Sequence, residues 1–326
     1  MKFFLKKILI ISILTGSILV MIVSLMPMHF NSRLYARWKY VNDELASIDK
    51  FNKVTIGDSR LMAALDPKLV GNVKQLCLPG GTPIEGFYTL SKLIENNAKI
   101  DTIVVSYSPN HLEIHKSFFE KALKYEFYEW QEIYEILHRA DSLKTIFWAS
   151  EYRYSEHKHS KISLKARLIY LKNPFYYRSE LASSLLLRGV SNWKEYDRIK
   201  NNLGYAAFGN KTQSGGKNEE AISAKELFVV DDLIDFYIKK IFALAERHHI
   251  HVHYISTPMN QTSVQAISQN YKTSYSNYLL QLSAIFPSSS VETTILTYPN
   301  NYFGDPSHLN YQGTLKFSNR LKKLYF

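Results

Sequence analysis

The segment Ile8–Met28 constrains the fold first, because it carries no charged side chain over a length that suits a membrane span. About 20 apolar residues cross the hydrocarbon core of a bilayer, and the chain there must be helical to satisfy its backbone hydrogen bonds. Lys2, Lys6 and Lys7 precede the segment, and positive charge favours the cytoplasmic side. The sequence therefore predicts a single transmembrane helix with its N-terminus in the cytoplasm and the remaining chain outside it.

A cleaved signal peptide is the alternative interpretation of this segment. The apolar run is longer than the apolar region of a usual signal peptide, and no small-x-small cleavage site follows it. We therefore predict an uncleaved anchor over residues 1–28, a juxtamembrane linker and helix over 29–50, and one further domain over 51–326.

Composition and charge restrict the partners of that domain. Apolar residues make up 46% and charged residues 21% of the chain, which is typical of a packed globular core. Lys and Arg number 40 against 29 Asp and Glu, and the net charge of +11 favours anionic lipid headgroups, nucleic acid or an acidic cell-wall polymer. No basic run or nucleic-acid motif occurs, so nucleic acid is disfavoured. The single cysteine, Cys77, excludes an internal disulfide and a multi-cysteine metal site.

Short apolar runs alternate with helical patterns on both sides of a long middle segment. This alternation is typical of a parallel sheet with helices on both faces, and it predicts a three-layer α/β/α sandwich. The middle segment, residues 116–201, is helix-like, basic and aromatic, which predicts a helical insertion, and loop-like residues 204–222 follow. The predicted strands are 53–56, 73–78, 102–106, 251–255 and 291–296, and the predicted helices are 223–249, 263–285 and one from Gln312.

Polar residues and glycines follow the predicted strands. Because ligands of parallel sheets bind beyond the carboxyl ends of the strands, we expect these residues to meet in one site. They are Ser59, Gly80 and Gly81, Asn110, Asn260, and the segment Asp305–His308.

Ser59 is the candidate nucleophile, because Gly57-Asp58-Ser59 directly follows the first predicted strand. A serine hydroxyl becomes nucleophilic when it is held rigidly beside a base, and a tight strand-to-helix turn supplies the rigidity. Backbone N–H groups at the start of the helix can stabilise a developing oxyanion. The alternative is an ordinary turn in which Asp58 or Ser59 caps the helix.

Asp305 and His308 are the candidate partners of that serine. An Asp three residues before a His, across a turn with Pro306, can place its carboxylate against one imidazole nitrogen. The other nitrogen is then free to accept a serine proton, as in a Ser-His-Asp triad. The alternative is a turn with a surface histidine, since the chain has 11 histidines and chance pairs are common.

At these two motifs the chain resembles the SGNH (GDSL-type) hydrolase superfamily. The first motif of that superfamily reads Gly-Asp-Ser after the first strand, and its last motif reads Asp-x-x-His before a terminal helix. The resemblance covers roughly residues 51–115 and 223–326 and leaves out the helical middle segment. It implies a flavodoxin-like sheet in which Ser59 is the nucleophile, His308 the base and Asp305 the residue that orients it.

The resemblance also implies two oxyanion donors. One comes from a glycine of the second motif, here Gly80 or Gly81, and the other from an asparagine of the third, here Asn110. The third motif usually reads Gly-x-Asn-Asp, whereas this chain has Ser108-Pro-Asn110-His111. The amide donor is kept but its flanking pattern is lost.

Within the superfamily, the chain is most similar to membrane-anchored members that act outside the cytoplasm. These include the D-alanine transfer protein of teichoic acid synthesis and the alginate and peptidoglycan O-acetylation proteins. The resemblance implies acyl transfer to a cell-surface polysaccharide or cell-wall polymer, beside a membrane-bound O-acyltransferase partner and without a cofactor. Two alternatives stay open: an esterase or deacetylase for such polymers or lipids, and a non-catalytic module that binds a polymer or a partner.

Three further residues are candidates for substrate binding: Asp58, Arg60 and Asn260. Arg60 stands where many members carry Leu, and it either binds an anionic group or lies at the surface. Asn260 is either an amide at the edge of the site or a turn residue. For His111, surface placement is favoured over a substrate contact.

The histidines at 248, 249, 251 and 253 form a cluster in the sequence. Strand alternation places His251 and His253 on one face, but no acidic partner accompanies them on that strand. We therefore predict no metal site here.

Overall fold

Five parallel strands form the main sheet of the protein, in a computed structural model that describes residues 2–46, 51–113, 118–144, 148–149, 152–153, 166–171, 186–207, 216–218, 221 and 226–326. These strands are β1 (Lys53–Gly57), β2 (Val73–Gln75), β3 (Thr102–Ser106), β6 (His251–Tyr254) and β8 (Ser290–Val291). Their order across the sheet is β2-β1-β3-β6-β8. The predicted α/β class with a parallel sheet is confirmed.

Two smaller sheets accompany the main one. Antiparallel β4 and β5 form a hairpin, and parallel β7 and β9 pair near the carboxyl ends of the main strands. These strands are β4 (Trp148–Ala149), β5 (Tyr152–Arg153), β7 (Met259–Asn260) and β9 (Thr297–Tyr298).

Parallel neighbours require crossover connections, and helices supply them. The helices are α1 (Lys2–Leu25), α2 (Pro27–Phe30), α3 (Tyr35–Leu45), α4 (Ser59–Ala64), α5 (Pro67–Val70), α6 (Pro83–Glu95), α7 (Pro109–Glu113), a π-helical turn (Phe118–Leu123), α8 (Trp130–Ser142), α9 (Leu186–Asn201), α10 (Asp232–Arg247), α11 (Gln261–Ala266), α12 (Gln269–Ile285), a 3-10 turn (Asn300–Tyr302) and α13 (Tyr311–Tyr325). Residues 166–170 are also helical.

Apolar side chains leave β3 in alternating directions, as the pleat of a strand requires. Ile103 and Val105 pack into the apolar cluster that contains α6 and α10. Val104 packs into a second cluster, with α4 and α13. Each such side chain contributes about 1.5–3 kcal/mol when fully buried. The two clusters together hold the carboxyl end of β3 in place beside β1.

Helix α1 contains a segment, Phe3–Ile22, that is long and apolar enough to cross a membrane, and none of it is buried within the protein. The predicted apolar N-terminal helix is therefore confirmed. Its end is set by Pro27 at the first turn of α2, since proline lacks the N–H that a continuing helix needs.

Helix α9 holds the residues that follow α1. The side-chain amide of Asn192 donates hydrogen bonds to the carbonyl oxygens of Met28 (2.7 Å) and Asn31 (3.1 Å). Gly189 lies so close to His29 that an added Cβ would come within 2.2 Å of the imidazole ring. Because Asn192 is buried, these two bonds are shielded from water and fix the exit from α1.

Glu195 of the same helix adds an ionic contact. Its buried carboxylate accepts hydrogen bonds from Arg33 (2.8 Å) and Arg37 (3.1 Å), which flank the start of α3, and from Arg198 (2.8 Å). Burial alone would raise the pKa of Glu195, but the three guanidinium groups lower it to about 2. We call Gly189, Asn192 and Glu195 the anchor clamp.

Residues 116–201, predicted as a helical insertion, are largely helical in the part that the structure describes. The π-helical turn, α8 and α9 belong to it, and the β4–β5 hairpin is the exception. The predicted loop at 204–222 falls mostly outside the described residues.

Two predicted helices have different bounds in the structure. The helix predicted over 223–249 begins at Asp232, because the Asp231 side chain accepts hydrogen bonds from Leu233 and Ile234 N–H and caps it there. The helix predicted over 263–285 is two helices, since Ser268 caps a new one at Gln269.

The strand predicted over 291–296 covers only Ser290–Val291. Glu292 N–H still donates to the Tyr254 carbonyl, but the Glu292 carboxylate then accepts from Ser256 N–H at 3.0 Å. The Ser256 N–H at the end of β6 is thus bonded to a side chain, so it cannot pair with the backbone of a longer β8.

Candidate active site

Ser59 is the first residue of α4, directly after β1. Asp58 caps this helix by accepting a hydrogen bond from Arg60 N–H at 2.9 Å. Gly57 allows the turn, because a Cβ at this position would lie 2.2 Å from the Ser106 carbonyl oxygen of β3. The ends of β1 and β3 therefore lie too close together for a side chain at Gly57. Ser59 follows at this end of the sheet.

The loop between β9 and α13 brings His308 to Ser59. The Nε2 atom of His308 lies 2.9 Å from Ser59 Oγ. Its Nδ1 atom lies 2.8 and 2.9 Å from the two carboxylate oxygens of Asp305. The neutral tautomer that matches these contacts carries its proton on Nδ1 and accepts the serine hydroxyl proton at Nε2. The structure thus brings together the three residues that the sequence named.

Asp305 is itself held by backbone groups. One of its oxygens accepts hydrogen bonds from the N–H groups of Ser307 (2.8 Å) and His308 (2.9 Å). Burial would raise the pKa of Asp305, but the hydrogen bonds and charge of His308 and these N–H groups together lower it. The carboxylate is therefore ionised at neutral pH and can stabilise a positive charge on His308.

Asp58 forms a second acid–histidine pair beside the serine. Its carboxylate is fully buried, accepts from Ser108 N–H at 2.9 Å, and lies 3.0 Å from Nδ1 of His111. Burial would raise the pKa of Asp58, but these contacts and the Arg60 charge hold it well below its usual range. No surface is left for a ligand, so the expected substrate contact of Asp58 is wrong. It joins the turn after β1 to the turn after β3.

His111, favoured above as a surface residue, lies against this buried carboxylate with 20% of its side chain exposed. Asn110, its neighbour in α7, is 2% exposed. The Asp58–Ser108 bond therefore fixes the turn that carries Asn110 next to the turn that carries Ser59.

The two candidate glycines differ in their backbone bonds. The N–H of Gly81 donates to the Leu78 carbonyl at 2.8 Å, so this bond occupies the donor that an oxyanion would need. Gly80 is half-buried with φ of 73°, a left-handed conformation that glycine adopts without strain. Of the two, Gly80 is the better candidate for an oxyanion donor.

Arg60 is buried rather than at the surface, with 7% of the residue exposed. It lines a narrow cleft with Ser108, Ser256 and Thr257, at the carboxyl ends of β3 and β6. A cation is thereby placed one residue from Ser59 in the chain, where its charge acts on the Asp58 carboxylate.

Asn260 is both a cap and a support for the histidine loop. Its side-chain oxygen accepts from Ser263 N–H at 2.8 Å and caps α11. Its amide nitrogen donates to the carbonyl oxygens of Pro306 (2.6 Å) and Gly216 (3.2 Å). Because Pro306 lies between Asp305 and His308, Asn260 acts on the site through the loop rather than at its edge.

Asn310 is a supporting residue that the sequence reasoning missed. It caps α13 by accepting from Gly313 N–H at 3.0 Å, and its amide donates to the Asn301 carbonyl at 2.8 Å. Gly313 is required beside it, since a Cβ there would lie 2.3 Å from the Tyr302 carbonyl oxygen. An Asn three residues before the helical Gly313 is the cap signal that could have identified it.

His251 and His253 of β6 come before the carboxyl end of that strand, where the Ser59 site lies. The rings of His251 and His253 are 4.4 Å apart, and His253 stacks on Tyr325 at 4.3 Å. Burial lowers the pKa of His253 to about 4. Within the described part of the chain, no group of three or more His, Cys, Asp or Glu could hold a metal ion.

The chain matches no model of a known protein family, and neither curated proteins nor solved structures gave a match. The chemistry available to the site therefore follows from its geometry. A serine hydroxyl bonded to an imidazole, which is bonded to an ionised carboxylate, is an arrangement suited to nucleophilic attack on an acyl group.

Proposed function

We propose that the protein is a membrane-anchored serine acyltransferase of the SGNH type, which acts outside the cytoplasm on a cell-surface polysaccharide or cell-wall polymer. The contact of His308 Nε2 with Ser59 Oγ at 2.9 Å carries the proposal. It supplies a base within hydrogen-bond reach of the hydroxyl that must be deprotonated.

In the proposed reaction, Ser59 Oγ attacks the carbonyl carbon of an ester or thioester while His308 Nε2 takes its proton. Asp305 stabilises the resulting imidazolium, and the Gly80 N–H and the Asn110 amide are the proposed donors to the oxyanion. The leaving group departs with the proton from His308 and leaves an acyl group on Ser59. An acceptor hydroxyl then gives its proton to His308 and takes the acyl group, which regenerates the serine.

The proposed architecture is a three-layer α/β/α sandwich of the flavodoxin-like kind. The strand order supports it, because β2-β1-β3-β6-β8 places the first two strands in reversed order before the others, as in that fold. The alternation of Ile103 and Val104 between two helix-covered clusters supports it as well. In this arrangement, 51–326 is the catalytic domain and 116–201 its insertion.

Hydrolysis by water at the same acyl-serine is the competing function. We favour transfer for two reasons. The anchor clamp holds the domain next to a helix suited to a bilayer, where a membrane-bound O-acyltransferase could supply the acyl group. The net charge of +11 is carried mostly by residues other than Lys2, Lys6 and Lys7, so the part of the chain after the anchor is basic and favours an acidic polymer as the acceptor.

The test uses full-length protein in lipid nanodiscs. We expect a fluorophosphonate probe to label Ser59 and activated esters to be cleaved slowly. We also expect the acyl group to move to a polysaccharide acceptor when one is added. Ser59→Ala should abolish labelling and transfer, whereas Ser91→Ala, which removes an α6 hydroxyl bonded to Glu95, should keep both.

Two results would contradict this function. Labelling that persists in Ser59→Ala would remove the nucleophile, and fast ester hydrolysis unaffected by any glycan would favour the esterase. Loss of polymer acylation in a deletion strain, restored by the wild-type chain and not by Ser59→Ala, would distinguish both enzymes from a non-catalytic binding module.

A further inference from the structure

A cleft of about 350 Å³ lies between α8 and α10, outside the Ser59 site. Side chains from both helices line it, among them Tyr134, His138 and Arg139 of α8 and Phe236 and Lys240 of α10. Its volume falls within the range of small-molecule sites, which is about 300–1,000 Å³.

Two cations of the cleft, Arg139 and Lys240, lie over aromatic rings rather than in salt bridges with the described residues. The Lys240 ammonium is 4.0 Å from the Phe87 ring centroid, and the Arg139 guanidinium is 4.3 Å from that of Phe236. Burial lowers the pKa of Lys240, and the nearby Glu135 carboxylate opposes part of that shift.

The neighbouring lysine behaves differently. Lys239 bonds to Asp235 at 2.6 Å, one turn away on the same helix, and does not line the cleft. Glu135 is the one carboxylate among the described residues that line the cleft, and it accepts a hydrogen bond from Tyr88 at 3.4 Å. One carboxylate against two cations leaves this lining with a positive charge that an anion would balance.

Aromatic surface accompanies these charges. Tyr134 is 60% exposed and its ring lies 6.2 Å from that of His138. An exposed aromatic ring can cover the apolar face of a sugar, and guanidinium and ammonium groups bind carboxylate or phosphate oxygens. The combination suits a sugar unit that carries an acidic group.

The cleft is connected to the Ser59 site through α10. The N–H of Asp231, which caps this helix, donates to the Leu112 carbonyl of α7 at 2.9 Å, two residues after Asn110. Phe236 and Lys240 follow Asp231 by five and nine residues, which is about 7–14 Å along a helix. The lining residues of α10 therefore lie within about 14 Å, along the helix axis, of its contact with α7.

We propose that this cleft binds an acidic sugar unit of the acceptor polymer, with Arg139 and Lys240 binding its anionic group and Tyr134 its ring. The assignment of the bound sugar as part of the acceptor rests on the proposed function. The binding itself does not.

The test measures binding calorimetrically with the full-length Ser59→Ala protein in nanodiscs, so that no turnover occurs. Probes are an oligomer of galacturonic acid, a sugar phosphate and a neutral galactose oligomer. We expect the acidic probes to bind and the neutral one not to bind, and the stronger of the two identifies carboxylate or phosphate as the preferred group. Lys240→Gln and Arg139→Gln should each raise Kd about tenfold or more, as expected for loss of a charged hydrogen bond.

Lys239→Gln is the matched control, because it removes the same charge one residue away, and Kd should stay within about twofold. Lys240→Arg should keep binding and shows that the position tolerates a change. Equal binding of the neutral oligomer, or equal loss in Lys239→Gln and Lys240→Gln, would overturn the proposal. If wild-type protein shows no acyl transfer but these binding differences hold, the proposed function fails and the acidic-sugar site stands.

Discussion

The Nε2 atom of His308 lies 2.9 Å from the Oγ atom of Ser59, although 249 positions separate the two residues. One turn follows β1 and the other precedes α13, and both are closed by backbone bonds to a carboxylate: Asp58 in the first and Asp305 in the second. The contact between Ser59 and His308 therefore depends on two turns, each held by a carboxylate. Substitution of each carboxylate tests this dependence.

Asp305→Asn should remove most activity while leaving the fold intact. An amide at this position would donate to Nδ1 of His308 and force the proton onto Nε2, which could no longer accept the Ser59 proton. We expect kcat for an activated ester to fall on the order of 10³–10⁴-fold. Asp101→Asn, an exposed residue before β3, is the control and should match wild type. A loss below tenfold in Asp305→Asn would argue against the assigned tautomer.

Asp58→Asn should lower stability in a pH-dependent way. Its carboxylate accepts from two N–H groups and lies against His111, and the amide would set an N–H donor against one of them. A buried N–H that loses its accepting oxygen in this way costs about 1–3 kcal/mol.

The direction of this pH dependence follows from the lowered pKa of Asp58. The stability that the ionised carboxylate contributes is complete above the ordinary carboxylate pKa of about 4 and is lost as the pH falls below it. The difference between wild type and Asp58→Asn in urea unfolding should therefore be largest near neutral pH and shrink below about pH 4. A difference that grows in acid would contradict this.

Asn260→Ser separates the cap from the support of the histidine loop. Serine can still cap α11, so stability should change by less than about 1 kcal/mol. It carries no amide to reach the Pro306 carbonyl, so the loop that holds His308 should loosen. We expect kcat to fall about tenfold with little change in KM, as for a displacement of a catalytic group. Asn260→Ala should show the same fall in kcat as Asn260→Ser. Its free energy of unfolding should be lower by a further amount of about 1 kcal/mol, because the cap is lost as well. Equal activity of wild type and Asn260→Ser would remove the positioning role.

Gly57→Ala should prevent proper folding, whereas Gly71→Ala should be tolerated. A Cβ at Gly57 would overlap the Ser106 carbonyl oxygen, and both strands there are central to the sheet. Gly71 has open space around it, and its φ of 80° with ψ of 147° is a conformation that glycine adopts far more readily than alanine, so alanine costs backbone strain of about 1–3 kcal/mol. Thermal unfolding of the two variants measures the difference. Similar melting temperatures for both would mean that β1 and β3 can separate without cost.

The site residues that the sequence predicts are those that belong to short local motifs. Ser59 follows a strand whose predicted bounds match β1 closely, and Asp305 and His308 lie three residues apart, so their contact is short-range. The partner of Asp58 could not be predicted, because His111 reaches it only after β1 and β3 pair. Similarly, Asn260 bonds to Pro306 through β7 and β9, whose two-residue strands are too short to leave a period in the sequence.

The anchor clamp has a geometric consequence for catalysis. A flexible linker after α1 would let the serine sweep a wide range of heights above a bilayer. Asn192 instead bonds to Met28, just after α1 ends at Leu25, and Glu195 bonds to Arg33 and Arg37 further along. These bonds tie the domain to the chain that leaves α1. In the proposed function, with α1 in a membrane, Ser59 would lie at a fixed distance from the bilayer. An acyl donor would then have to be presented at that distance, so distance from the bilayer would itself select the substrate.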